Sequence, residues 1–291
     1  MEVLSPVRDQ VGESPLWSPA EQALWWVDIE GRQLRRLDWA SHAVQSWPTA
    51  ERCGCIALHA TGGLLAAMES GLFRLRPQPG GVLDAQRVAS VRHARDGMRF
   101  NDGRCDRAGR FWAGSMLRDM AQGAAVGALY RFDARGLSAP LVSALITPNG
   151  LAFSADNRTM YLSDSHPSVQ RIWAFDLDAD GTATGRREFV DMRSHPGRPD
   201  GAAIDVDGGY WICANDAGLV HRFTPEGTLD RSLRVPVSKP AMCAFAGPAL
   251  DWLVVTSIRP AEPPAAEAAL AGALFVLRPG TSGLAETPFG A

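Results

Sequence analysis

The chain is short of several things, and each shortage removes a class of function. No stretch reaches the roughly 18 consecutive apolar residues that a membrane-spanning helix needs, so no membrane partner is expected. The leading residues MEVLSPVRDQ carry no basic segment followed by an apolar run. They do not read as a secretory signal, and the expected location is cytoplasmic. Charge of one sign is missing too: 29 Lys and Arg stand against 32 Asp and Glu, a net charge of −3. The basic residues are scattered rather than gathered into a stripe, which argues against a nucleic-acid partner. Cysteine is sparse and odd in number, at Cys53, Cys55, Cys105, Cys213 and Cys243, a poor basis for a disulfide framework. Cys105, Cys213 and Cys243 fall in apolar runs as small core residues. Cys53-Gly54-Cys55 lacks the second Cys or His pair that would complete a soft-metal or redox site. No G-x-S-x-G occurs, which disfavours a serine-nucleophile elbow.

A sustained 3.6-residue apolar period is the last absence, and it excludes a helical fold for most of the chain. In its place stands a repeat. Short strand-like runs recur as ALWWVDI (23–29), GLLAAM (63–68), RFWAGSM (110–116), TMYLSDS (159–165), YWICAND (210–216) and WLVVTSI (252–258), at intervals of 40 to 50 residues. Each is followed by a second run, such as QLRRLDW (33–39) or RIWAFDL (171–177), with Gly, Pro, Asp and Asn between. Six units of this period predict an all-β, six-bladed β-propeller, one four-stranded sheet per blade. We expect a single domain over residues 1–291, with residues 2–6 joining the last blade to close the ring. The Ala-rich stretch 261–274 reads as a short helix or an irregular loop within that blade.

Ahead of each pair of runs lies a third segment, the expected innermost strand. Aligned on Trp17, Leu58, Cys105, Phe153, Ile204 and Phe245, these segments place Glu13, Gly54, Asn101, Asn149, Asp200 and Ala241 at one equivalent position. Innermost strands surround a central channel, so two carboxylates and two amides are predicted to share one space. Asn-Gly and Asp-Gly are common turn dipeptides, and a single match would read as a turn. Four in one register read as a site. Carboxylates held together in a confined channel need a cation, and an all-oxygen set suits Ca²⁺, Mg²⁺ or Mn²⁺ and is accepted by Zn²⁺.

The segments GESPLW (12–17), RFNDG (99–103), TPNGLAFS (147–154), RPDGAAID (198–205) and CAFAGP (243–248) together resemble the gluconolactonase family, which includes regucalcin and bacterial sugar lactonases. The resemblance runs from about residue 11 to 280. It implies a six-bladed propeller with one divalent metal in its channel, held by Glu13, Asn149 and Asp200. It also implies substrate contacts from Arg99 and Asn101, and from Asp119, although L-R-D (117–119) is less acidic than the regucalcin-like stretch. The last blade departs as well, with PAMCAFAGP (240–248) where Thr-Ser and Gly-Gly are more usual.

The expected activity is hydrolysis of an aldonolactone, such as gluconolactone or a pentonolactone, with Asp200 doubling as general base. Arg99 and Asn101 would orient sugar hydroxyls and stabilise charge on the carbonyl oxygen. The bland readings are an Arg99 ion pair with Asp96 or Asp102, an Asn101 that caps its turn, and a structural Asp102. The six histidines are dispersed, with His166 and His195 expected near the channel mouth. Two alternatives stay open: a propeller that binds calcium or a partner without turnover, and a lactonase or esterase for non-sugar substrates.

Overall fold

The apolar runs pair as antiparallel sheets in a computed structural model that describes all 291 residues. The first blade is built from Gly12–Ser18, Ala23–Asp28, Gln33–Asp38 and Val44–Pro48, hydrogen-bonded in that order. Blades two to five begin with Cys53–Leu58, Met98–Cys105, Pro148–Phe153 and Arg198–Ile204. The sixth runs Pro240–Ala246, Trp252–Ser257, Phe275–Leu277, and its outer strand is the N-terminal Glu2–Val3. Early residues thus close the ring, as the sequence predicted, and the fold is a six-bladed propeller. The Ala-rich 261–274 forms turns and loop rather than a helix.

Six apolar clusters hold the blades together, one across each junction. Leu34 and Trp47 of the first blade meet Leu64 and Met68 of the second, and Trp17 and Trp26 meet Val254 and Val276 across the closure. Trp26, Trp112 and Trp211 are the largest fully buried side chains. Each reaches a buried carboxylate: Asp9, Asp106 and Asp205 accept their indole N–H at 2.8, 3.0 and 2.7 Å. Asp106 and Asp205 occupy matching places in blades three and five. Asp205 also accepts from Arg222 Nε at 2.7 Å and from the backbone N–H of Asp207 and Gly209, which fixes the turn between the first two strands.

Every innermost strand carries a β-bulge at one height. Register slips by one residue between Glu13 and Leu16, Cys53 and Cys55, Phe100 and Gly103, Asn149 and Ala152, Pro199 and Ala202, and Pro240 and Cys243. An extra residue re-aims the side chains beside it. The other end of the channel is crossed by the C-terminal segment. Gly283 N donates to Leu250 O at 2.8 Å, Val206 N to Ser282 O at 3.0 Å, Phe289 N to Leu58 O at 2.7 Å and Gly290 N to Gly109 O at 3.0 Å. Beneath it Arg104 pairs with Glu286 at 2.7 Å and donates to Ala202 O at 2.6 Å. The hollow left there is about 10 Å³, room for about one water.

Replacing Asp205 with Ala leaves four donors without their acceptor, one of them on the buried Arg222. We expect a loss of about 3–5 kcal/mol and a Tm lower by roughly 10 °C, read by thermal denaturation. An unchanged Tm would show that the Trp–Asp–Arg cluster does not hold the blade.

Candidate active site in the central channel

The bulges place the ring residues around a cavity of about 310 Å³ at the starts of the inner strands. Glu13, Arg99, Asn101, Asn149 and Asp200 all line it. They come from blades one, three, four and five, so the channel joins residues nearly 190 positions apart in the chain. The two silent ring positions have a steric cause. A Cβ on Gly54 would press into Phe100 O and sit 2.6 Å from Asn101 O, and Ala241 is fully buried.

Two aspartates set the segments that lead into the ring. Asp28 accepts from the backbone N–H of Gln10 and Val11, and Asp164 from Ile146 and Thr147. Both thereby fix the backbone just ahead of Glu13 and Asn149. Immediately after Glu13, Ser14 adopts φ 51°, a left-handed conformation that costs a non-glycine residue energy. Its Oγ accepts from Ile56 N at 2.9 Å and ties blade one to blade two.

The polar side chains form one directed chain. Arg99 Nη1 donates to Asn101 Oδ1 at 2.7 Å, Asn101 Nδ2 to Asn149 Oδ1 at 2.7 Å, Asn149 Nδ2 to Ser165 Oγ at 2.5 Å, and Ser165 Oγ to Pro199 O at 2.5 Å. Arginine can only donate and a proline carbonyl can only accept. The two ends therefore fix both amide orientations, which a terminal amide alone would leave undecided. Asn149 must turn its oxygen, not its nitrogen, toward the ring. On the other side, Asn215 Nδ2 donates to Asp200 Oδ2 at 2.7 Å and to Pro240 O at 3.2 Å.

Neither Glu13 nor Asp200 has a cationic partner. Glu13 accepts only a long bond of 3.4 Å from Ser14 N. Burial, with Asp200 and Asp102 near, pushes its carboxyl well above the usual range. Burial pushes Asp200 up to about 7, against the pull of Arg198 and the Asn215 hydrogen bond. Asp102, also raised by burial, accepts from Leu151 N at 2.8 Å and leaves Oδ1 without a partner. The donor chemistry fits a hard cation: carboxylate oxygens from Glu13 and Asp200, and an amide oxygen from Asn149 held outward by its neighbours. No three His, Cys, Asp or Glu side chains converge to hold an ion by themselves, so a cation here depends on the amide oxygen as well.

Arg99 makes no ion pair with Asp96 or Asp102; its partners are Asn101 and Phe100 O. Asp119 does not line the central cavity. It borders an adjoining hollow with Arg95 and Gln122, contiguous with the cavity through Glu30, Arg99 and Arg118. Its carboxylate accepts from Ala121 N and Gln122 Nε2. His166 bonds Met120 O and Ser168 Oγ, and His195 packs on His221 and Phe223; neither lines the cavity. Cys53 and Cys55 are buried, and burial pushes the Cys53 thiol up to about 12, so neither is a reactive pair.

Ser165 and Asn215 were not found from the sequence. They occupy one register: Ser165 N bonds Thr147 O, two positions ahead of Asn149, and Asn215 pairs with Arg198, two ahead of Asp200. Comparing the second strands, TMYLSDS with YWICAND, would have aligned them.

The family described as SMP-30/Gluconolactonase/LRE-like region matches residues 11–259. Similar proteins include a 6-deoxy-6-sulfogluconolactonase of Pseudomonas putida, 37% identical over 96% of this chain and 94% of that protein. A pentonolactonase of Haloferax volcanii is 33% identical over 85% of this chain and 81% of that protein. The crystal structure of a calcium-binding regucalcin from Agrobacterium tumefaciens superposes with a TM-score of 0.90, at 29% identity, covering 99% of this chain and 97% of that one. The chain belongs to the SMP-30/gluconolactonase/LRE-like family.

Proposed function

We propose that the protein is a sugar lactonase, a hydrolase that opens an aldonolactone to the aldonic acid. One divalent cation would be held by Glu13, Asn149 and Asp200. The observation that carries this reading is the pair of buried, unpaired carboxylates facing one cavity beside a fixed chain of amides. The lactonase names of two relatives support the reaction class. Calcium is one candidate, since the Agrobacterium relative is described as calcium-binding; an all-oxygen donor set also accepts Mg²⁺, Mn²⁺ and Zn²⁺.

When bound, such a cation supplies a Lewis acid for the lactone carbonyl and a lowered pKa for water. The protein supplies the rest. Asp200 takes the proton of the attacking water, a role its place on the cavity wall allows. Asn215 fixes one Asp200 oxygen and leaves the other facing the cavity. Both amide protons of Asn101 are already used, on Pro148 O and Asn149 Oδ1. It therefore offers a sugar hydroxyl an acceptor and acts mainly by holding Asn149. Arg99 keeps Nη2 free of protein partners and is the donor for a developing oxyanion. Asp119 meets only a substrate that reaches over Arg118 into the adjoining hollow.

Proton release from a panel of aldonolactones, with chelator and with metals added back, tests the reading once spontaneous ring opening is subtracted. Asp200→Asn is expected to lower kcat/KM by about 10³-fold or more and to lower bound metal, while Asp102→Ala acts mainly on stability. Full turnover and metal content in Asp200→Asn would overturn the assignment.

The raised carboxyls also set a stability profile. A folded-state pKa above the unfolded value favours folding at low pH, and that advantage is lost as pH rises through the folded value. For Asp200, raised from 3.8 to about 7, the loss is on the order of 4 kcal/mol between pH 4 and 8. Glu13 and Asp102 act in the same direction. Chelated protein should thus melt lower at pH 8 than at pH 5, and a divalent cation should raise Tm most at pH 8, because metal and proton compete for the same oxygens. Equal metal-induced shifts at both pH values would count against these ligands.

A further inference from the structure

Two positions ahead of the ring residues, an offset that keeps to one face of a strand, stand Val11, Arg52, Arg99, Thr147, Arg198 and Lys239. All but Arg52 line the cavity. This tier lies nearer the mouth than the ring, since the opposite end is covered by the C-terminal segment. Four of its six positions are cationic, in a chain whose overall charge is −3. Arg118, just after the second strand of blade three (Phe111–Leu117), adds a fifth cation at the same mouth.

These charges are unevenly paired, and two of them, Arg99 and Arg118, meet no carboxylate. Arg52 is paired with Glu30 and Glu69. Arg198 and Lys239 share a single carboxylate, that of Asp216. Arg99 contacts only neutral acceptors. Arg118 is exposed, and its side chain makes no hydrogen bond or ion pair, since Asp119 beside it accepts instead from Ala121 N and Gln122 Nε2. The carboxylates that line the cavity are Glu13, Glu30 and Asp200; Glu30 is taken by Arg52, and the other two face the cation site.

Resting on the lactonase reading above, we infer that the preferred substrate is a lactone bearing a fixed negative charge outside its ring, received at the mouth by Arg118 beside Arg99. A sulfonate, phosphate or carboxylate shares the required chemistry: acceptor oxygens that a guanidinium binds through paired N–H groups. A neutral sugar leaves Arg118 facing solvent and gains nothing from it. The unpaired guanidinium groups of Arg99 and Arg118 would also draw an anionic substrate toward the mouth, an effect that salt weakens.

The test compares metal-loaded protein on neutral glucono-1,5-lactone and on its 6-phosphate, 6-sulfonate and 6-carboxylate counterparts. The wild type is expected to show kcat/KM at least tenfold higher on one or more of the charged lactones, falling with added NaCl, while the neutral rate stays flat. Arg118→Ala should lower that charged-to-neutral ratio about tenfold, mostly through KM, and Arg118→Lys should recover part of it. Arg135→Ala, an exposed arginine at the outer edge of the same blade, should leave the ratio where it was. Which anion shows the largest ratio identifies the source of the charge. Equal rates on neutral and charged lactones, without salt dependence, overturn the inference and leave the lactonase reading standing. Absence of turnover on every lactone removes both.

Discussion

The structure turns on one inserted residue per innermost strand. A regular strand alternates its side chains between two faces, and in a propeller both faces pack on neighbouring blades. Where that alternation is interrupted, the side chains beside the extra residue are re-aimed. All six inner strands are interrupted at one height, and the ring residues sit at those interruptions. The cost is visible at Ser14, held left-handed just after Glu13, and at Gly150, φ 59°, where a Cβ would lie 2.5 Å from the Tyr210 hydroxyl. The six apolar junctions and the turn-fixing aspartates hold these bulges in place against that strain.

The bulges bring together groups that repel. Glu13, Asp102 and Asp200 are all buried near one another, and each is raised by that burial. Replacing them by apolar residues would stabilise such a channel, so their presence is a statement about ligand rather than fold. The amides add direction. Because the chain from Arg99 to Pro199 O can run only one way, the protein decides in advance that Asn149 turns its oxygen toward Asn101 and its N–H toward Ser165. The carboxylate oxygens of Glu13 and Asp200 and the amide oxygen of Asn149 are of the kind a hard cation takes.

Most of the architecture was legible in the sequence, because a repeat of 40 to 50 residues samples the same physical problem six times. Equivalent burial selects equivalent residues, so Leu24, Leu64, Phe111, Met160, Tyr210 and Leu253 all fall in second strands. The N-terminal closure was readable from the unfinished last unit. The same alignment put Glu13, Asn101, Asn149 and Asp200 at one position, and the bulges hold them there. Ser165 and Asn215 were missed because they act across a strand pair, and pairing is visible only when two strands are compared together. Asp119 shows the opposite limit. It lies in a loop outside the repeat, where spacing carries no information about which hollow a side chain borders.

The irregular positions of the ring explain how a ligand must arrive. At Gly54 the backbone of blade three presses against blade two, and at Ala241 the side chain is wholly covered. There is no lateral entry beside Glu13. The far end is closed by Arg104, Glu286 and the C-terminal crossing. A molecule therefore reaches the carboxylates only through the mouth, past Arg99, Arg198, Lys239 and Arg118. Selection by charge happens at that tier, before any contact with the ring, because a field set by unpaired guanidinium groups acts over roughly a Debye length of about 8 Å at physiological salt. Chemistry and admission are thus separated along the channel axis. On the proposed reading the inner ring carries the reaction, and the outer tier chooses what is admitted to it.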